Sequence, residues 1–210
     1  MPLRLLELFS GTGSVGRVAR EMGFEVVSLD ISPKHSPDFV ADILEFDYTI
    51  WPKGFFQIVH ASPPCTLYSL ANPNRRPEEG NAVTRRMMEV INHLEPKYTI
   101  IENPVSSLIW RQGIIPDDLT KNVVSYCMYG FNYRKNTVFA TNIVFKPKLC
   151  DGKCGAIVES DGHFYHKEVA KRGRSMNTPP GIQSGSHTQD ELFRIPGGLV
   201  RDILSQVVEA

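Results

Sequence analysis

Cys65 stands directly after Pro63-Pro64 and ahead of the polar run Thr66-Leu67-Tyr68-Ser69. Two prolines fix the local backbone and aim the thiol in one direction. A thiolate in a polar or positive setting is a nucleophile, whereas a thiol shut among apolar groups is structural. The position after a rigid turn favours the nucleophile. Glu102, followed by Asn103-Pro104, is a second candidate. Buried beside a substrate, its carboxyl could keep a proton near neutral pH and act as an acid. Its blander reading is a carboxylate tied to backbone amides. Near the amino terminus, Phe9-Ser10-Gly11-Thr12-Gly13 supplies glycines that let the backbone approach a ligand closely. Asp30 stands where a carboxylate could hold two ribose hydroxyls, and Asp42 where one could accept from an adenine amino group. Taken singly, these are a tight turn and two helix caps; taken together they point to a nucleoside-bearing cofactor. No lysine follows the glycines, which argues against a phosphate-binding loop.

A fourth group lies further on. Cys150-Asp151-Gly152-Lys153-Cys154 brings two thiols into one tight loop, with His163 and His166 close behind. Thiolate and imidazole ligands at such spacing suit a structural, tetrahedral zinc. His166 is the favoured histidine, because it opens the run to Arg172, which reads as a basic helical turn. The segment has too few large apolar residues to fold alone, and a metal would fix it. Unrelated surface residues, or a Cys150–Cys154 disulfide, are the competing readings.

Positioning these groups requires a sheet. Leu3–Leu8, Val26–Leu29, Phe39–Ala41, Phe56–Ala61 and Tyr98–Ile101 are short apolar runs that read as buried strands. Each candidate residue up to Glu102 falls at or just past the carboxyl end of one of them. Val15–Met22, Arg85–Leu94 and Leu192–Val208 carry helical spacing, and Asn72–Asn81 reads as loop. Val123–Tyr126 and Thr137–Val144 read as a closing pair of strands. Continuous apolar strands alternating with helices predict an α/β, Rossmann-like fold: a mostly parallel sheet covered on both faces, with a small irregular insertion. The division is 1–145 for the catalytic domain, 146–190 for the insertion, and 191–210 for a helix packing back.

Composition narrows the classes. The chain is 41% hydrophobic and 22% charged, which excludes collagen, coiled coil and wholesale disorder. No apolar run approaches the ~20 residues of a membrane span, and Met1-Pro2-Leu3-Arg4 opens no signal peptide. Twenty-three basic residues balance twenty-three acidic ones, so any nucleic-acid surface must be local. Four cysteines without a secretory signal point to catalytic or metal-binding thiols in a reducing setting.

Leu8-Phe9-Ser10-Gly11-Thr12-Gly13, Asp30, Asp42, Pro63-Pro64-Cys65 and Glu102-Asn103-Pro104, in that order, resemble the DNA cytosine-5 methyltransferase family. The resemblance covers residues 3 to 145 and implies a class I methyltransferase fold. It implies S-adenosylmethionine as cofactor, held by Phe9, Ser10, Gly11, Thr12, Gly13, Ser14, Asp30, Ile31, Asp42, Ile43 and Pro64. It makes Cys65 the nucleophile on cytosine C6 and Glu102 its acid partner at N3 and the amino group. Where the family shows Gln-x-Arg-x-Arg, this chain has Tyr133-Arg134-Lys135-Asn136-Thr137, so Arg134 or Lys135 takes the arginines' place. The usual Pro-Cys-Gln is Pro64-Cys65-Thr66, and Glu-Asn-Val is Glu102-Asn103-Pro104. The closing Gly-Asn-Ser element appears only loosely, in Arg194–Leu199. The segment where full-sized members carry a target-recognition domain is short, as in compact phage and large-virus members. Those relatives imply Cys127 as a third thiol for the zinc, giving Cys127, Cys150, Cys154 and His166. The expected partner is DNA, with no membrane, in a soluble intracellular monomer of phage or viral origin. The arginines at 75, 76, 85 and 86 read as a loop closing over a nucleic-acid backbone, or as a merely solvated charged loop.

Three alternatives stay open. Ser62-Pro63-Pro64 also resembles the signature of exocyclic-amine methyltransferases, but Cys65 stands where their stacking aromatic residue belongs. RNA is a possible substrate for the same cysteine chemistry. A catalytically silent nucleic-acid-binding module is the third, and retention of both Cys65 and Glu102 argues against it.

Overall fold

A computed structural model describes residues 1–170, 182 and 187–208. Its centre is β1 (Arg4–Leu8), flanked by β2 (Glu25–Asp30) and β4 (Ile58–Ala61), both parallel to it. Outside them lie β3 (Phe39–Val40), β5 (Tyr98–Pro104), β6 (Thr120–Ser125) and β7 (Asn136–Thr141). The strand order is β3-β2-β1-β4-β5-β7-β6, with β7 antiparallel to both its neighbours. The order reverses between β1 and β4, and open α/β sheets bind ligands at that crevice, beyond the carboxyl ends of the strands.

The alternating side chains of each strand supply both faces. Leu5, Ile58 and Ile100 pack with Val15, Val18 and Ala19 of α1 (Ser14–Glu21) and with Leu199, Val200 and Ile203 of α4 (Gly197–Val208). Leu6, Leu8, Val59, Ala61 and Ile101 pack on the other face, against Met87, Val90, Ile91 and Leu94 of α2 (Pro77–Leu94). The helices therefore cover both faces, as the apolar runs require. No helix among the described residues is long and apolar enough to cross a membrane.

Three expectations need correction. Helix α2 begins at Pro77, inside the stretch that reads as loop. Proline at the first helical position and Glu78 and Glu79 in the first turn form a strong helix start that apolar periodicity misses. The closing helix is two: α3 (Gln189–Phe193), opened by a Thr188–Glu191 capping box, and α4, separated at Pro196. The insertion is not wholly irregular either. β8 (Ile157–Ser160) and β9 (His163–His166) form an antiparallel hairpin across Asp161-Gly162, both at positive φ. His166 consequently ends a strand rather than starting a helical turn. Residues 167–170 are not helical, and Lys167 and Glu168 donate backbone N–H groups to Ala156 and Asn132. Lys171 and Arg172 lie outside the described residues, as does part of the insertion.

Candidate active site

After β1 the chain reverses within five residues, with Phe9, Gly11 and Gly13 all at positive φ. Phe9 is the only one of the three that carries a Cβ against that conformation, a form of strain that concentrates at functional sites. Asp30 stabilises the turn. One carboxylate oxygen accepts from the Gly11 amide at 2.8 Å and the other from Ser32 at 2.8 Å. Asp42 accepts from the Leu44 amide at 2.9 Å.

The Pro63-Pro64-Cys65 turn is held from the neighbouring strand. Asn103 donates its side-chain amide to the Pro63 carbonyl at 2.8 Å, which ties the cysteine turn to β5 beside Glu102. Below, Tyr68 is buried, and its hydroxyl pairs with Asn81 and Thr84 of α2. Gly80 leaves space for the Tyr68 ring; a Cβ there would stand 2.6 Å from it. Glu102 is buried, and the Tyr126 hydroxyl donates to its Oε1 at 3.1 Å. Burial, then the neighbouring Glu102, pushes the Tyr126 hydroxyl well above its usual range, which keeps it a donor.

One cavity of about 490 Å³ joins these pieces. Phe9, Ser10, Gly11, Thr12, Ser14, Asp30, Ile31, Asp42, Ile43 and Pro64 line it together with Cys65, Glu102 and Lys135. Gly13 does not; its left-handed backbone serves as the N-cap of α1. Lys135 donates to the Leu192 carbonyl at 2.9 Å and lies over the Tyr126 ring, while Arg134 is turned toward the second half of the chain, where it lines a separate hollow with His166. Of the four arginines read as a closing loop, Arg86 is spoken for: it donates to the Ile43 and Phe46 carbonyls and pairs with Glu89. Arg76, the N-cap of α2, pairs with Glu79 in the helix's first turn.

Sequence reasoning missed several cavity residues. Lys34 and His35 meet Asp190 at 2.6 and 3.1 Å, tying the segment after β2 to α3, and all three line the cavity. Glu7 and His60 are neighbours in register on β1 and β4, both buried and both lining the cavity. A polar residue inside an apolar strand run was their one signal.

Burial pushes the Glu7 carboxyl up to about 7, against the Gly16 and Val15 amides that pull it down. The folded chain thus keeps a proton that the unfolded chain loses above pH 4.5. Stability from this group is full below 4.5, falls as pH rises to about 7 and is flat beyond. His60 acts oppositely: burial pushes it down to about 4, so its contribution falls as pH drops from 6.5 toward 4. Replacing Glu7→Gln should therefore stabilise the chain more at pH 8 than at pH 5, by about 2–3 kcal/mol. Denaturant unfolding at the two pH values measures this, and an equal effect at both would refute it.

No family model matches the chain. A protein of Frog virus 3 (isolate Goorha), named a probable DNA (cytosine-5)-methyltransferase, is 35% identical over 223 residues, covering 96% of this chain and 99% of its own. The chain belongs to the DNA (cytosine-5)-methyltransferase family. Solved structures share this methyltransferase's fold at lower identity. A provisionally named DNA modification methyltransferase encoded within an E. coli prophage is 19% identical, with a TM-score of 0.53 over 71% of this chain and 52% of that one. The S. pombe Dnmt2 methyltransferase is 17% identical, with a TM-score of 0.51 over 74% and 57%. The methyltransferase described here thus spans only about half the length of those solved chains.

In this methyltransferase the hairpin is fastened to the sheet by a cluster. Ligand atoms of Cys127, Cys150, Cys154 and His166 all lie within 4.8 Å of one another. Cys127 follows β6 in a short 3-10 turn, whereas the other three belong to the insertion. The Cys150 and Cys154 sulfurs stand 3.6 and 3.5 Å from His166 Nε2. Tetrahedral zinc with ligand bonds of about 2.3 and 2.05 Å places sulfur and nitrogen about 3.6 Å apart. The donor set and spacing therefore fit a closed structural zinc site. Burial, then the Cys150 and Cys154 sulfurs, pushes the Cys127 thiol up to about 12, the effect a dication would reverse. No cysteine is in a disulfide, against the Cys150–Cys154 alternative, and His163 is not in the cluster.

Proposed function

We propose that this chain transfers a methyl group from S-adenosylmethionine to C5 of cytosine in DNA, through a covalent adduct at Cys65. The observation that carries this is the single cavity, which runs from Asp30 and Asp42 to Cys65 and Glu102. Bound there, S-adenosylmethionine supplies an electrophilic methyl on a sulfonium. Asp30, Ile31, Asp42 and Ile43 hold the nucleoside end, and Phe9 to Ser14 pass beneath it. The Cys65 thiolate adds to C6, which makes C5 a nucleophile. Glu102, oriented by Tyr126, hydrogen-bonds N3 and the amino group and favours that addition. Lys135, which lines the same cavity, would donate to the carbonyl oxygen of the base. After methylation, loss of the C5 proton expels Cys65 and restores the aromatic ring.

The base must leave its stack to reach a recessed thiol, which costs a few kcal/mol in duplex DNA. Zinc held by Cys127, Cys150, Cys154 and His166 would be structural, fixing the hairpin to β6.

Asp30→Ala should weaken cofactor binding by about 1.5–3 kcal/mol per lost charged hydrogen bond. Asp42→Ala should cost less, since it makes one adenine contact. Calorimetry showing unchanged affinity in both variants would overturn the nucleoside assignment. The function itself is tested by incubating the protein with labelled S-adenosylmethionine and single- or double-stranded DNA or RNA. Mass spectrometry of the nucleosides should find 5-methyldeoxycytidine; methyl on an exocyclic amine, in RNA alone, or nowhere would contradict it.

A further inference from the structure

His60 sits in the buried strand β4, yet neither of its ring nitrogens has a hydrogen-bond partner among the described residues. The same is true of the buried Ser62 hydroxyl, two positions along and just past the end of the strand. Both residues line the cavity. Most buried polar groups are paired. Among the described residues Asn103 Oδ1, Thr137 Oγ1 and His187 Nε2 also lack a hydrogen-bond partner, but of this set only His60 and Ser62 belong to the cavity wall. Two adjacent orphans there point to a ligand that completes them. Glu7, the neighbour of His60 on β1, does not fill the role: neither His60 nitrogen has a hydrogen-bond partner, and the Glu7 carboxyl turns its Oε2 to the Gly16 amide at 2.9 Å.

Position says which part of a ligand arrives there. Strand β1 lies between the ends of β2 and β3, where Asp30 and Asp42 stand, and β4, which carries His60 and leads into the cysteine turn. A molecule with its nucleoside at those aspartates and its reacting end at Cys65 must cross this floor. In S-adenosylmethionine the part that crosses is the methionine portion, which carries two cations, the sulfonium and the α-ammonium, and one anion, the α-carboxylate, for a net positive charge.

Resting on the cofactor reading above, we propose that His60, with Ser62, receives the positively charged methionine portion of S-adenosylmethionine, a ring nitrogen lone pair facing the cation. Burial separately holds the imidazole in the neutral form that offers such a lone pair. His60 is thus a cofactor-binding residue that no sequence motif marks.

The test is calorimetric titration of the full chain and its His60→Leu, His60→Gln and Ser62→Ala variants, with S-adenosylmethionine and S-adenosylhomocysteine, alongside thermal unfolding. His60→Leu should bind S-adenosylmethionine at least about tenfold more weakly while unfolding at the same or a higher temperature, because an unpaired polar group has been removed. His60→Gln restores an acceptor and should recover most of the affinity, and Ser62→Ala should show a smaller loss. If the ammonium is the group received, both ligands weaken together; if the sulfonium is, only S-adenosylmethionine does. Undiminished binding of both by His60→Leu overturns the proposal. So does a joint loss of affinity and thermal stability that His60→Gln fails to rescue, which would make His60 structural. Wild-type protein that binds neither ligand refutes the cofactor reading first, and this subsite with it.

Discussion

Cys65→Ser protein should transfer no measurable methyl group, a loss of at least roughly ten-thousand-fold, while binding S-adenosylmethionine nearly as well as the wild type. The asymmetry follows from the cavity. The end proposed for the nucleoside lies at β2 and β3, whereas Cys65 rides on the turn after β4, held by Asn103 of β5. A serine at 65 keeps the shape and removes the nucleophile, because its hydroxyl is a far weaker thiolate substitute. Glu102→Gln should lower the rate by a smaller factor, about 10²–10⁴, as expected for a positioned proton donor or hydrogen-bonding group. Steady-state rates with labelled cofactor, paired with calorimetry, separate the two effects. A Cys65→Ser enzyme that turns over normally would end the nucleophile assignment; one that loses cofactor binding in parallel would show that the turn, not the thiol, was disturbed.

Elemental analysis of untagged protein should find about one zinc per chain, since the four donors make one closed tetrahedral site. Cys154→Ser should lose it, and chelation should release the β8–β9 hairpin. The reason is local. The apolar cluster at the hairpin's base is small: Cys127, Cys150 and Ala156, with Met128 and Cys154 against it. Phe164 of β9 is 69% exposed and contributes little burial. Metal binding to ligands that are unformed in the unfolded chain would supply the missing folding free energy. Hydrogen exchange should show protection of residues 157–166 only when zinc is bound. Metal-free protein with the same protection would refute the structural role.

The sheet was legible because five short apolar runs each ended at a polar, Gly- or Pro-containing turn, and the chemistry falls at those ends. Side-chain spacing grouped Cys150 and Cys154 with His163 or His166, the choice of His166 rested on a helical turn that is in fact the end of β9, and Cys127 came from the family resemblance. What escaped had physical causes. The start of α2 is written in Pro77, Glu78 and Glu79, which act on backbone donors and leave no apolar period. His60 hides in an apolar strand, where a sequence does not tell which face opens on a cavity. The contact of Lys34 and His35 with Asp190 joins residues more than 150 positions apart, and nothing local announces it. Arg86 shows the converse: a cation read as a nucleic-acid contact is used to hold two carbonyls of the loop after β3.

The central claim is a covalent bond between Cys65 and C6 of cytosine, and trapping it tests that claim most directly. DNA containing 5-fluorocytosine, offered with S-adenosylmethionine, cannot complete the cycle, because fluorine does not leave C5 as a proton does. The account predicts a stable protein–DNA adduct that survives denaturation and whose peptide, by mass spectrometry, carries the modified base on Cys65. No adduct from a protein that methylates ordinary cytosine, or an adduct on Cys127, Cys150 or Cys154, would contradict it.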